Sequence, residues 1–243
     1  MNTWTYNESK HCGVDYSDIK QAEMYDQQHQ KFRNYEKEVA DFIRNLPMHN
    51  IQDLTLIDLA CGTGATSIYA SKHFKQIYAV DVSAVMINQA MSKAEKEKIT
   101  NIKFINAGFL SYEHQAEPVD VVVTKAALHH LPDFWKQIAL LKMNHMLKRG
   151  GVLYIYDVVF DFDPSEYIPR MNQFISDYEA AAGEEFKAEV ETHFRDEYST
   201  FSWIVEGMLT RAGFSIEKKT PSQGGIVMEY FCKKIEEVNI QKS

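Results

Sequence analysis

Residues 55–64 read Thr-Leu-Ile-Asp-Leu-Ala-Cys-Gly-Thr-Gly, an apolar strand running straight into a glycine turn, and the next apolar stretch ends in the acid Asp81. No other part of the chain constrains the fold as tightly. In an open α/β sheet the ligand crevice lies beyond the carboxyl ends of the strands. Gly62 and Gly64 let backbone approach a ligand closely, and a carboxylate at the tip of the second strand can accept hydrogen bonds from both hydroxyls of a ribose. The dinucleotide fingerprint Gly-x-Gly-x-x-Gly is poorly met, because Ala60 stands two before Gly62 and Ser67 three after Gly64. The turn points to an adenosine-containing cofactor rather than to a pyrophosphate.

Around this turn the chain alternates helical and strand patterns. Ile19, Ala22, Tyr25, Phe32, Tyr35, Val39 and Phe42 recur mostly at intervals of three and four, which predicts one or two amphipathic helices ahead of the sheet. Strands are expected over 55–58, 76–80, 102–105, 119–123, 152–156, 214–217 and 225–233, and helices over 65–73, 83–97, 134–147 and 198–212. Residues 158–194 break the rhythm with aromatics, prolines and many carboxylates, which reads as an inserted helical cap. The expected organisation is a single domain over 1–243, with an N-terminal helical cap (1–48), a cofactor-binding core (50–157), a substrate-cap insertion (158–197) and completion of the core (198–233).

Composition narrows the partner. A net charge of -8 argues against a broad nucleic-acid surface, so a small-molecule substrate is expected. Cys12, Cys61 and Cys232 show neither a disulfide framework nor a zinc spacing. Glu184, Glu185, Glu189 and Glu191 read as a solvated helix face, so no metal is expected. There is no apolar signal core and no run of eighteen uncharged apolar residues, which suits a soluble cytoplasmic protein off the membrane, monomer or homodimer.

Five pieces in order carry a resemblance: Asp58-Leu-Ala-Cys-Gly-Thr-Gly64, Asp81, the segment Phe104 to Leu110, the strand Val119 to Thr124 followed by Leu128-His-His-Leu-Pro132, and Leu147-Lys-Arg-Gly-Gly-Val-Leu153. Over roughly residues 50–160 the chain resembles the class I S-adenosylmethionine-dependent methyltransferases. The resemblance implies a Rossmann-like α/β fold: a seven-stranded mixed sheet with helices on both faces and an antiparallel last strand. It also implies bound S-adenosylmethionine and methyl transfer to a nucleophile, with S-adenosylhomocysteine as product. It does not imply which nucleophile.

On this reading Asp58 accepts from the cofactor amino group or caps amides of the turn, while Ala60, Gly62, Thr63 and Gly64 line the methionine and ribose side through main chain. Asp81 clamps the ribose, and Val82 and Met86 cover the adenine, although a Met there is as often ordinary core. Gly108 stands where many family members place an Asp for the adenine amino group. Adenine recognition then falls to backbone or to Asn106, with Phe109 against the base or in the core. Lys125 and Ala126 pass the sulfonium, which would repel the Lys125 ammonium, so that charge is expected to point elsewhere. His130, or else His129, contacts cofactor or removes a proton from substrate; the alternative is a helix-start pair, one buried and hydrogen-bonded and the other exposed. Asp157 is placed to orient a substrate group, and Tyr25, Tyr167, Arg170, Tyr178 and Arg195 are candidate substrate contacts. The favoured function is direct displacement of the methyl group by a small-molecule nucleophile. An RNA or protein methyltransferase, or a noncatalytic cofactor-binding protein, is the alternative.

Overall fold

β1 (Thr55–Leu59) and β4 (Val119–Lys125) lie side by side in the middle of the sheet, and their composition explains why. Residues 119–124 of β4 are all buried, as a strand covered by helices on both faces must be. The computed structural model describes residues 3–10, 12, 13 and 33–238, with residues 182, 185 and 186 described by backbone alone. The helical pattern expected over 17–32, Tyr25 included, lies outside the described residues.

The strands run in the order β3-β2-β1-β4-β5-β8-β7, where β2 is Gln76–Asp81, β3 Ile102–Asn106, β5 Leu147–Phe160, β7 Phe214–Ser222 and β8 Val227–Lys234. From β3 through β5 neighbours are parallel; β8 is antiparallel to both β5 and β7. The connection leaves β1 towards β2 on one side and returns to β4 on the other, so a crevice opens beyond the carboxyl ends of these two strands.

Period-two alternation divides the core. Leu56, Val121, Val123, Tyr154 and Phe231 face α1 (Tyr35–Asn45) and Phe74. Ile57, Leu59, Val122, Leu153 and Ile155 face α4 (Asp133–Met146) and α7 (Ser202–Arg211) through Leu140, Met143, Val205 and Leu209. The Asn34 side chain caps α1 by accepting from Lys37 N at 2.9 Å, and Tyr35, Val39 and Phe42 form its buried face. α2 (Ala65–Ala70) and α3 (Ala84–Lys96) follow β1 and β2. α3 starts on the expected cap, with Ser83 Oγ accepting from Met86 N.

The mixed sheet, its antiparallel last strand and the helical insertion after β5 are all present. The insertion comprises α5 (Tyr167–Ala182) and α6 (Glu184–Asp196). Two details differ. β5 is much longer than 152–156, because beyond Tyr156 it keeps pairing with β8 (Asp157 with Met228, Val158 with Val227). Its last residues then pair with β6 (Thr200–Phe201), which lies where the sequence pattern predicted helix. Phe201 is held there by Phe160, with ring centroids 5.7 Å apart, and by stacking on Trp203 at 4.3 Å. Among the described residues no helix is long and apolar enough to cross a membrane.

Candidate active site

The glycine turn is a backbone device. After Leu59 the chain adopts left-handed φ at Ala60 (59°), Gly62 (54°) and Gly64 (81°), which coils it tightly enough for Cys61 N to donate to Val80 O at 3.0 Å. A Cβ on Gly64 would lie 2.8 Å from the Ala90 Cβ, so the turn fits under α3 only without a side chain there. Asp81, at the tip of β2, holds the turn from the other side. Its Oδ2 accepts from Gly62 N and its Oδ1 from Ser83 N, both at 2.8 Å. Burial raises the Asp81 pKa against these two N–H donors. Asp58 accepts from Ser67 Oγ at 2.6 Å and is pushed up to about 6 by burial, which outweighs that bond and the nearby Lys125 charge.

These groups border a cavity of about 380 Å³. Asp58, Ala60, Gly62, Thr63, Asp81 and Val82 line it, as do Met86, Gly108, Phe109, Lys125 and Ala126. Gly64 alone among the expected cofactor residues stays behind the wall, filling the gap under α3. Asn106 is spent elsewhere: its amide donates to Asp81 O and Val82 O at 2.9 Å each, joining β3 to the loop after β2.

Gly108 finds its explanation in a residue that sequence reasoning missed. The Glu8 carboxylate, from the N-terminal segment, accepts from Leu110 N and Ser111 N at 2.8 Å each, and a Cβ on Gly108 would come within 2.4 Å of it. Glu8 thus places a carboxylate beside position 108, and it also lines the cavity. Some hundred residues of separation leave no local pattern that could reveal this contact.

The Lys125 ammonium, on the cavity wall, pairs with Glu38 of α1. Arg33 joins the same carboxylate through contacts of 2.9 and 2.7 Å. Burial would raise the Glu38 pKa, but the two cations outweigh it and hold it at about 2.

His129, His130 and Asp157 come together, though in different roles from those expected. Asp157 is fully buried and does not line the cavity. Its Oδ2 accepts from Leu128 N at 2.7 Å and Ala127 N at 3.2 Å, and its Oδ1 takes Val158 N and His129 Nδ1. His129 is buried between Asp157 and Glu197, whose Oε2 stands 3.2 Å from His129 Nε2. Burial alone would discharge His129; the two carboxylates outweigh it and raise its pKa to about 9. His130 is the histidine that lines the cavity, and burial followed by the His129 charge lowers it to about 4. His193 of α6 also lies against Glu197 Oε2, while its Nε2 meets Ser199 Oγ at 3.0 Å. His193 and Glu197 escaped the sequence reading, although their i, i+4 spacing was the available signal.

None of the expected substrate contacts in the insertion lines this cavity. Tyr167 is exposed, Arg170 pairs with Glu166, Arg195 pairs with Asp196, and Tyr178 packs on Phe174 with ring centroids 4.6 Å apart. The insertion instead sends Glu197 and His193 inward, because α6 ends against the loop after β4, where Tyr198 N donates to His129 O at 2.9 Å.

A doubly wound sheet with a glycine turn, an acid at the next strand tip and a cavity spanning both defines a Rossmann-like cofactor-binding protein. Residues 56–151 match the model of a methyltransferase domain. An uncharacterized methyltransferase of Geobacillus kaustophilus is 29% identical over 105 residues, covering 43% of this chain and 47% of that protein. The ubiquinone/menaquinone biosynthesis C-methyltransferase of Campylobacter jejuni is 28% identical over 130 residues, 51% of each chain. The chain thus spans about half the length of these curated relatives. A methyltransferase structure from Aquifex aeolicus shares the fold at TM-score 0.63 and 19% identity, over 91% of this chain and 99% of that one. With its cofactor turn, sheet order and matching domain, the chain is similar to the class I S-adenosylmethionine-dependent methyltransferases, whose fold suits S-adenosylmethionine binding.

Proposed function

We propose that the protein transfers the methyl group of S-adenosylmethionine by direct displacement to a small-molecule nucleophile, releasing S-adenosylhomocysteine. The observation that carries this reading is the buried Asp81 carboxylate, fixed by Gly62 N and Ser83 N beside the glycine turn and open to the cavity. A carboxylate so held can accept both ribose hydroxyls. Val82, Met86 and Phe109 cover the adenine, Glu8 accepts from its amino group, and Asp58 receives the ammonium of the methionine part. Residues 50–157 with 198–233 form the cofactor-binding core, and the 158–197 insertion backs the acceptor side through Glu197 and His193 behind His129. Alignment of donor and acceptor with water excluded supplies most of the rate.

The fold by itself does not dictate this chemistry, since the [4+2]-cyclase SpnF shares it at TM-score 0.62. Support comes from the cofactor turn and from the enclosed, small cavity. His130 is the side chain that meets the acceptor, held from behind by His129, and Asp157 fixes His129. The test is calorimetric titration with S-adenosylmethionine, S-adenosylhomocysteine and NAD, alongside Asp81→Ala. Selective binding of the two adenosyl thioether ligands, weakened about a hundredfold by the substitution, is expected from the loss of two charge-assisted hydrogen bonds. Binding of NAD in preference, or of none of them by folded protein, would overturn the reading.

A further inference from the structure

The loop after β4 and the end of α6 bring together three ligand atoms, one each from His129, His130 and Glu197, within 4.8 Å of one another. Their relation to each other is not that of a finished hydrogen-bond network. Glu197 Oε2 is buried and stands 3.2 Å from His129 Nε2 and against His193 Nδ1, yet it has no hydrogen bond of acceptable geometry. A buried carboxylate oxygen normally finds such a partner. Here it lies instead among imidazole nitrogens, which are themselves metal donors when neutral.

The outer contacts agree with that geometry. A metal-bound imidazole usually donates its remote N–H to a carboxylate, which fixes tautomer and ring orientation. His129 has that arrangement: Nδ1 is held by Asp157, which is itself fixed by the amides of Leu128 and Val158, leaving Nε2 towards Glu197. Charge points the same way. Asp157 and Glu197, with side chains 1% and 2% exposed, place two carboxylates in one buried cluster, which a dication balances with every imidazole neutral.

From these observations we infer that His129, His130 and Glu197 form a binding site for a divalent transition-metal ion, open on the His130 side to the cofactor cavity. Two imidazoles and one carboxylate are the donor set of zinc and of the neighbouring first-row dications; a calcium or magnesium site would be built from oxygens. Three protein donors leave a coordination position for an exogenous ligand. That the position receives the acceptor heteroatom rests on the proposed methyl transfer. Metal binding itself does not.

The experiment is titration of the full, chelator-treated chain with Co²⁺ and Zn²⁺, without S-adenosylmethionine, read by visible absorption, calorimetry and thermal melting. The variants are His130→Ala, on the cavity wall, Glu197→Gln, and Cys12→Ser as a control for binding by the half-exposed thiol. The site predicts one saturable equivalent, Co²⁺ bands of a low-coordinate nitrogen and oxygen environment, and a rise in melting temperature. His130→Ala and Glu197→Gln should each lose the bands and the rise, while Cys12→Ser keeps both. Absence of saturable binding, binding unchanged in His130→Ala, or loss only in Cys12→Ser would overturn the site. If Glu197→Gln does not fold, His130→Ala decides alone. Failure of S-adenosylmethionine titration would leave these outcomes intact, so the two readings fail separately.

Discussion

The two walls of the cavity are built on different principles. Around β1 and β2 the ligand meets main chain: a glycine turn, two N–H groups spent on Asp81, and a β2–β3 edge closed by Asn106. Beyond β4 the cavity is bordered by the His130 and Lys125 side chains, backed by groups from distant segments, Glu197 at the end of α6 and Glu38 of α1. Backbone geometry tolerates little change, because a Cβ in the wrong place displaces a helix. Side-chain clusters can be re-equipped one residue at a time. Under the proposed function, a wall for a constant cofactor and a wall for a particular acceptor call for these two constructions.

Substitution should expose the contrast most strongly at Gly64. Gly64→Ala places a Cβ 2.8 Å from Ala90 at a left-handed φ, and the denaturant midpoint should fall by an amount worth about 2–4 kcal/mol. An unchanged midpoint would show that the turn is less rigid than its contacts imply.

Next in size is a pH effect at Asp58. Its pKa is raised from 3.8 to about 6 in the folded chain, so its contribution to stability is fully present below about pH 4 and is lost as pH rises through 6. Asp58→Asn should therefore stabilise the ligand-free protein by about 2–3 kcal/mol at pH 8 and by little at pH 4, measured by chemical denaturation at each pH. S-adenosylmethionine affinity should show the opposite trend in the parent chain, strengthening as pH rises through 6, while neutral adenosine shows no such gain.

A smaller effect tests whether the N-terminal segment completes the adenine end. Glu8→Ala should weaken S-adenosylmethionine binding about tenfold, and Gly108→Asp should weaken it at least as much by forcing two carboxylates together. The double variant should recover most of the loss. Additive losses in calorimetry would remove Glu8 from the adenine site. Smallest of all is Arg195→Ala. Its guanidinium is exposed and engaged with Asp196, so melting temperature and turnover should both stay at parent values.

Sequence carried the first wall well and the second poorly, for a physical reason. The apolar run into Gly62 and Gly64, and Asp81 after the next apolar run, are local patterns whose geometry follows from chain stereochemistry. The same holds for the buried β4, whereas the antiparallel end of the sheet was an expectation from the family resemblance. Glu8 beside Gly108 and Glu197 beside His129 are contacts between segments whose relative position depends on the whole fold. α6 has acids on several faces, so composition alone suggested a solvated helix; only its docking against the loop after β4 selects Glu197. Asp157 was expected just after the fifth strand but lies within it, and its carboxylate is used up by amides and His129 because β5 continues past the point where the sequence pattern ended it.

That overrun of β5 has a consequence of its own. From Asp157 onward the strand has left β4 behind and is an edge, paired with β8 and through it with β7, before it reaches β6. A narrow three-stranded end twists more freely than the middle of a wide sheet. The insertion therefore hangs from a torsion bar, anchored at one end in the rigid sheet and turning at the other. Under the proposed function, changes in its pitch would swing the acceptor side through an arc while the cofactor turn stays still, so the choice of acceptor could drift during descent without loosening the grip on the methyl donor.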